Sequence, residues 1–226
     1  MATPEALDAH PSIEVLAAAF SLRAQQLCLL LVQPPGSGPR RIPGSALPPG
    51  VSLEEAARER IFNLTGLRET YQEQLYTYGE AERGGEPRRV SVVYYALLPS
   101  EVRPAKCSID TDAECAAWFP VGALPPLEED HAEILAYALR RLRYKLEYSA
   151  VGFQLLPESF TLSQLQKTYE IVLGETLDKR NFRRRILEAG IIEPTAVLRG
   201  GEGRPARLFR YRPDAVAEVK TRRLFP

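Results

Sequence analysis

The sequence predicts an α+β protein in two parts, an α/β/α sandwich followed by a winged helix-turn-helix domain. Three observations carry this. Apolar, β-branched and aromatic runs at 12–20, 27–32, 72–78 and 89–98 surround one amphipathic helix at 53–64, and a long second helix follows at 129–148. Beyond residue 160 the pattern changes to helix, short turn, arginine-rich helix and hairpin. The charge divides the same way. The chain is neutral overall, with 29 basic and 29 acidic residues, but 151–226 holds 14 Lys and Arg against 9 Asp and Glu, about +5, and the rest is about −5. Such asymmetry points the C-terminal part toward a polyanion.

Each element has a local reason. The runs 12–20 and 27–32 read as buried strands joined by a polar turn around Arg23, Ala24 and Gln25. In the first helix Ser52 and Glu55 have capping-box spacing, Leu53, Ala57, Ile61 and Leu64 share a face, and Gly66 stands where a glycine stop belongs. Two Tyr- and Val-rich strands, 72–78 and 89–98, flank a polar turn at 79–87, and 116–121 is a last short strand. The helix 129–148 carries an apolar stripe of Ile134, Leu135, Ala138, Leu142 and Leu146, with Arg140, Arg141, Arg143 and Lys145 mostly elsewhere. It packs on the sheet, and a further place in a dimer interface stays open. Residues 1–11 are polar, lack the parts of a signal peptide and are expected to be disordered. The longest apolar run, 27–32, is too short to span a membrane. Three cysteines, Cys28, Cys107 and Cys115, show no zinc spacing, and their odd number fits a reducing cytoplasm. The expected domains are 12–150 and 151–226.

Residues 44–67 keep the frame of a catalytic motif but not its chemistry. Gly44, Pro49-Gly50, Ser52-Leu53-Glu54-Glu55-Ala56-Ala57 and Gly66-Leu67 resemble a Nudix box. Anchored on Thr65-Gly66-Leu67, Glu59 falls on the arginine of that box and Arg60 on its first clustered glutamate. Asn63 and Leu64 replace the glutamate pair that holds magnesium, and Val51 replaces the upstream glutamate. Hydrolysing a diphosphate needs a divalent ion to bridge phosphate oxygens and activate water, and that hard cation wants carboxylates. Leucine and valine cannot ligate it, and arginine repels it. The resemblance therefore implies a Nudix α/β/α sandwich kept for binding, with no catalytic residue, no metal and no cofactor. Arg40, Arg41 and Arg60 are the expected ligand-binding residues. Guanidinium pairs with phosphate oxygens and would stand in for the lost metal toward an anionic diphosphate metabolite. The competing reading has Arg60 pointing to solvent. Asp130 and His131, at the start of the long helix, are read as structural rather than catalytic.

In the second part Thr161 caps a helix with Gln164 as its box partner, Leu162, Leu165, Tyr169 and Val172 form the apolar side, and Gly174 ends it. Asp178 is an N-cap for a second helix reaching Ala189 and stopping at Gly190. At helical spacing Phe182, Ile186 and Ala189 face inward. Lys179, Arg180, Asn181, Arg183 and Arg184 then form the outer, N-terminal face that a recognition helix needs, reaching base edges while cations hold phosphates. Strands at 191–198 and 207–211 flank a Gly-rich loop, and Arg204 and Arg207 are expected to touch phosphate or the minor groove from this wing.

Both parts together resemble the Nudix-related transcriptional regulators of bacteria, the NrtR type, from about Ser12 onward. The most specific matching stretches are 75–79, 89–95, 118–120, 130–135 and 153–157. Strongest are 160–166 with Tyr169-Glu170, Leu177-Asp178-Lys179-Arg180-Asn181-Phe182-Arg183-Arg184, and Gly203-Arg204-Pro205-Ala206. The resemblance implies a cytoplasmic homodimer that binds palindromic double-stranded operator DNA, commonly near genes of NAD metabolism. It also implies release by ADP-ribose or a related NAD-derived metabolite, although some relatives answer to sugars. The chain departs from the pattern at Ser45, at Pro48-Pro49 and at Glu128-Glu129, in or near the expected ligand cleft. The expected function is a transcriptional regulator, most simply a repressor. The alternatives are an active Nudix hydrolase with an accessory DNA-binding domain, and an interaction module whose winged helix binds no DNA.

Overall fold

A computed structural model of the chain describes residues 10–34, 38–80, 88–102, 114–128, 130–199 and 206–212. Most of the expected N-terminal disordered segment, most of the turn at 79–87, and the wing loop with Arg204 lie outside the described residues. The elements are β1 (Ser12–Arg23), β2 (Gln26–Gln33), β3 (Gly44–Ala46), α1 (Leu53–Thr65), β4 (Tyr71–Tyr78), β5 (Arg89–Leu98) and β6 (Cys115–Pro120). They continue with α2 (His131–Tyr148), α3 (Leu162–Leu173), α4 (Lys179–Glu188), β7 (Ile192–Arg199) and β8 (Ala206–Tyr211). Spatial contacts gather these into two units whose division falls within α2, between Ala138 and Leu139; the second unit also takes 21–27 and 98–101.

In the first unit the sheet runs β4-β5-β1-β2-β6, and β3 pairs with β1. Its faces follow from the pleat, in which successive side chains alternate. Val15 of β1 and Val92 and Tyr94 of β5 pack with Ala56 and Ala57 of α1, and Leu47, Val51 and Leu53 join them. Residues of opposite parity, Leu16, Val93 and Tyr95, are equally buried, so both faces of the sheet are covered. Tyr76 and Tyr137 meet ring to ring at 6.0 Å between β4 and α2. Helix α1 begins with half of the expected capping box, Ser52 Oγ accepting from the Glu55 N–H. It ends at Gly66, whose φ of 72° is the left-handed conformation that a side chain would strain. β1 and β2 are joined by Ala24 and Gln25, both at positive φ (45° and 60°), a tight turn made without glycine. Cys28 is buried and outside any disulfide, while Cys115 is disulfide-bonded.

In the second unit Thr161 and Gln164 form the full reciprocal cap: Thr161 Oγ1 accepts from Gln164 N, and Gln164 Oε1 accepts from Thr161 N. Replacing Thr161 by alanine removes one half of it. The expected cost is about 1 kcal/mol, read as a lowered urea midpoint at unchanged slope. Gly174 closes α3 at φ 78°. Antiparallel β7 and β8 form the hairpin, and Phe160 joins its edge by reciprocal backbone bonds to Phe209 of 2.9 and 2.7 Å. The core is aromatic. Phe153 lies 5.4 Å from Phe160 and 5.0 Å from Tyr211, and Tyr169 meets Phe182 edge-on at 5.7 Å. Burial, and secondarily the neighbouring Tyr211, pushes the Tyr169 hydroxyl well above its ordinary pKa, so it stays neutral. A 3-10 turn at Ala150–Leu155 packs Gly152 against the Tyr169 ring so closely that a Cβ there would stand 3.0 Å from it. The joint between α3 and α4 is held from α3. Gln166 Nε2 donates to Leu177 O at 2.9 Å and to Glu170 Oε1 at 3.1 Å, and the same Glu170 oxygen accepts from Leu177 N at 3.1 Å. Among the described residues no helix is long and apolar enough to cross a membrane.

Candidate nucleic-acid interface and anion cleft

Helix α4 sorts its residues into an anchored face and a free one. Asp178 caps it, accepting from Asn181 N at 2.7 Å. Phe182 and Ile186 are buried, and Ala189, expected inside, is half-buried at the C-cap. Lys179, Arg180 and Arg184 are exposed, while Asn181 and Arg183 are half-buried. The expected arginines are not equivalent. Arg183 Nη2 donates to Ser163 Oγ at 3.1 Å, tying it to the first turn of α3. Arg184 donates to Asn181 Oδ1 at 2.9 Å and lies 3.3 Å from Glu188, which sets its plane over the outer face. Arg207 is exposed opposite Leu198 in the hairpin. Sequence reasoning passed over Ser163, because a hydroxyl on a first helical turn reads as part of a cap.

In the first unit, the structure brings together two of the three expected ligand arginines. Arg41 Nη2 lies 3.0 Å from Glu114 Oε1, and Arg60 Nη2 is paired with Glu114 Oε2. Arg60 is therefore turned into the fold, not toward solvent, with only 16% of its side chain exposed. Arg40 is the neighbour of Arg41 in an extended stretch, and so points the other way. Its guanidinium sits 4.6 Å above the Phe119 ring. Glu114 itself carried no signal in the sequence, because an isolated acid far from both arginines matches no motif.

Arg41 also borders a cavity of about 190 Å³ whose lining includes Glu14, Arg89, Ser45, Glu128 and His131. Two positions where the chain departs from its family pattern, Ser45 and Glu128, thus lie on this cavity. Glu14 is engaged by Ser91 and lies 3.5 Å from Arg89. His131 is 5% exposed and its Nδ1 accepts from Ile42 N at 3.1 Å, the structural role expected of it. That bond stitches the start of α2 to the strand segment after Arg41.

The box positions do not suit a divalent ion. Leu64 is in the core at 7% exposure, Asn63 is exposed, and Arg60 brings positive charge. Among the described residues no three His, Cys, Asp or Glu gather closely enough to hold a metal. No catalytic step through magnesium is derived from this arrangement.

Comparison with known proteins places these features. The family of the NrtR DNA-binding winged helix domain matches residues 152–211. An ADPR responsive transcriptional repressor of Acinetobacter baylyi, NtrR, is 33% identical over 208 residues, spanning 89% of this chain and 82% of that protein. The chain belongs to the NrtR family. Shewanella oneidensis NrtR complexed with a 27mer DNA matches at a TM-score of 0.80 and 32% identity, over 93% of this chain and 98% of that one. The NUDIX domain of the Shewanella NrtR, complexed with ADP ribose, matches at 0.51 and 29%, over 62% of this chain and 94% of that one. The fold expected from sequence, a Nudix sandwich followed by a winged helix-turn-helix, is the NrtR fold. The Acinetobacter relative is a transcriptional repressor, and this chain is an NrtR-type transcriptional regulator.

Proposed function

We propose that this protein is an ADP-ribose-responsive transcriptional repressor that binds operator DNA and senses its effector without hydrolysing it. The observation that carries the DNA half is the outer face of α4, where Lys179, Arg180 and Arg184 are exposed over the buried Phe182 and Ile186. Relatives support it: one is an ADPR responsive transcriptional repressor, and another is complexed with DNA. In this reading residues 12–150 sense the effector and 151–226 bind the operator, as a homodimer that presents one α4 to each half-site. Arg204 and Arg207 hold phosphates from the wing. Arg41 and Arg60 meet the effector's diphosphate, while Arg40, the third arginine expected there, lies over the Phe119 ring. The box supports binding over catalysis, because valine, arginine, asparagine and leucine stand where four glutamates would hold the ion. An active hydrolase with an accessory DNA-binding domain is the reading this disfavours.

A ligand releases an operator only by preferring the state that does not bind it. Saturating ADP-ribose in excess EDTA is expected to weaken operator binding by about 5- to 150-fold. The measurement is a titrated gel shift, using DNA selected from genomic fragments by the purified full-length chain. Failure to select any fragment removes the repressor reading. Robust magnesium-dependent release of AMP from ADP-ribose restores the hydrolase.

A further inference from the structure

We propose that Glu114 is an internal anion that occupies the effector's arginine clasp, and that the effector's diphosphate must displace it. This rests on the reading of the cleft as the ADP-ribose site. Two guanidinium groups repel each other, and an anion between them relieves that repulsion. Here the anion is the chain's own: the two oxygens of Glu114 serve Arg41 and Arg60 separately. Glu114 and Arg60 are largely removed from water, at 17% and 16% side-chain exposure, so the pairing is weakly screened. One carboxylate against two guanidinium groups leaves the clasp itself with a net charge of about +1.

The clasp also has donors to spare. Arg41 Nε and Arg60 Nε are buried, and no acceptor reaches either among the described residues. A buried donor without an acceptor is costly. A diphosphate brings more oxygens and more charge than one carboxylate, and satisfies guanidinium groups bidentately. Arg41 connects the clasp to the neighbouring cavity, since it lines that cavity and binds Glu114 as well. At about 190 Å³ the cavity is smaller than the roughly 300 Å³ from which pockets for whole small molecules begin. It admits one moiety of a dinucleotide-sized effector, with the diphosphate left at the Arg41 rim. Glu114 immediately precedes β6, so withdrawing its side chain requires no break in the sheet. Glu114 is thus a specificity-determining residue. An anion that cannot outcompete it gains no foothold, and the effector's affinity is set by the difference between two anions.

The test is calorimetry on the full-length chain in EDTA, with ADP-ribose and, separately, inorganic pyrophosphate. The variants are Glu114→Gln, Arg60→Ala and the double substitution. Glu114→Gln keeps the size of the side chain and removes its charge. It is expected to bind ADP-ribose about tenfold more tightly than wild type. In the Arg60→Ala background the same change should gain threefold or less, because half the clasp is gone. An equal gain in both backgrounds overturns the clasp in favour of unspecific charge repulsion. Unchanged or weaker binding by Glu114→Gln overturns it outright and leaves the effector reading standing. If ADP-ribose binds neither protein but pyrophosphate binds Glu114→Gln more tightly than wild type, the clasp stands and the effector reading falls. If neither ligand binds either protein, both fall. Folding of the variants is followed by thermal melting. Glu114→Gln should melt lower than wild type, with the loss recovered by pyrophosphate.

Discussion

Replacing Arg180 and Arg184 together by alanine is expected to abolish specific operator binding by the full-length chain while leaving its melting temperature nearly unchanged. Both side chains are exposed, so neither supports the core. Surface changes of that kind normally move stability by less than about 0.5 kcal/mol. If either guanidinium reads a guanine bidentately, its loss costs about 1–3 kcal/mol and relaxes specificity at that base. If it meets a phosphate, affinity falls for every sequence and the log–log salt slope drops by about 0.9. Replacing Arg183 alone tests a different point. Its bond to Ser163 makes it a link between α3 and α4 as well as a cation, so its effect should be accompanied by a loss of stability. On a dimer, half-site centres are expected roughly 10 or 20 base pairs apart. Wild-type affinity in the Arg180 and Arg184 double variant would take α4 out of the interface.

The second large effect is on folding. Phe182→Ala is expected to cost about 3–5 kcal/mol, which for a domain with a total of roughly 5–15 kcal/mol is often the difference between folded and unfolded. Phe182 is 2% exposed and stands edge-on to Tyr169, itself fully buried and pressed against Gly152. Deleting the ring opens a cavity beside Tyr169 and removes an aromatic pair. Equilibrium urea unfolding followed by near-UV circular dichroism measures it. A loss below 1 kcal/mol would mean that the site collapses around the smaller side chain, and that the aromatic cluster does not hold α4 in place.

Much of this was legible in the sequence, for identifiable physical reasons. Capping residues, glycine stops and apolar stripes are local, and they place α1, α3 and α4 almost to the residue. The strands β1, β2 and β5 announce themselves by buried apolar runs. What was missed depends on distant partners. β3 has only three residues, too few for alternation to register, and it is a strand because Glu14, Val15 and Leu16 of β1 pair with it. The 3-10 turn Ala150–Leu155 has no helical period to detect, and is fixed by the ring of Tyr169 against Gly152. At the cleft, sequence position put Arg40, Arg41 and Arg60 on one footing, and only tertiary structure separates them. Arg40 stacks on Phe119, while the other two meet over Glu114. The Nudix box was readable because a missing glutamate is as visible as a present one. A carboxylate whose partners lie far away in sequence, like Glu114, was not.

The joint between α3 and α4 has a consequence for how the DNA-binding part can evolve. A turn usually carries its own instructions, in a glycine or a proline that fixes its course. Here Gly174 turns the chain out of α3, but the rest of the joint is steered from one helix upstream, since Gln166 and Glu170 hold both the N–H and the carbonyl of Leu177. The exposed Glu175 and Thr176 are therefore spare letters, open to change without swinging α4. A single replacement at Glu170 would remove the acceptor of the Leu177 N–H and loosen the hinge. Variation would collect in the turn, while the residues that steer the reading head sit silently in the helix before it.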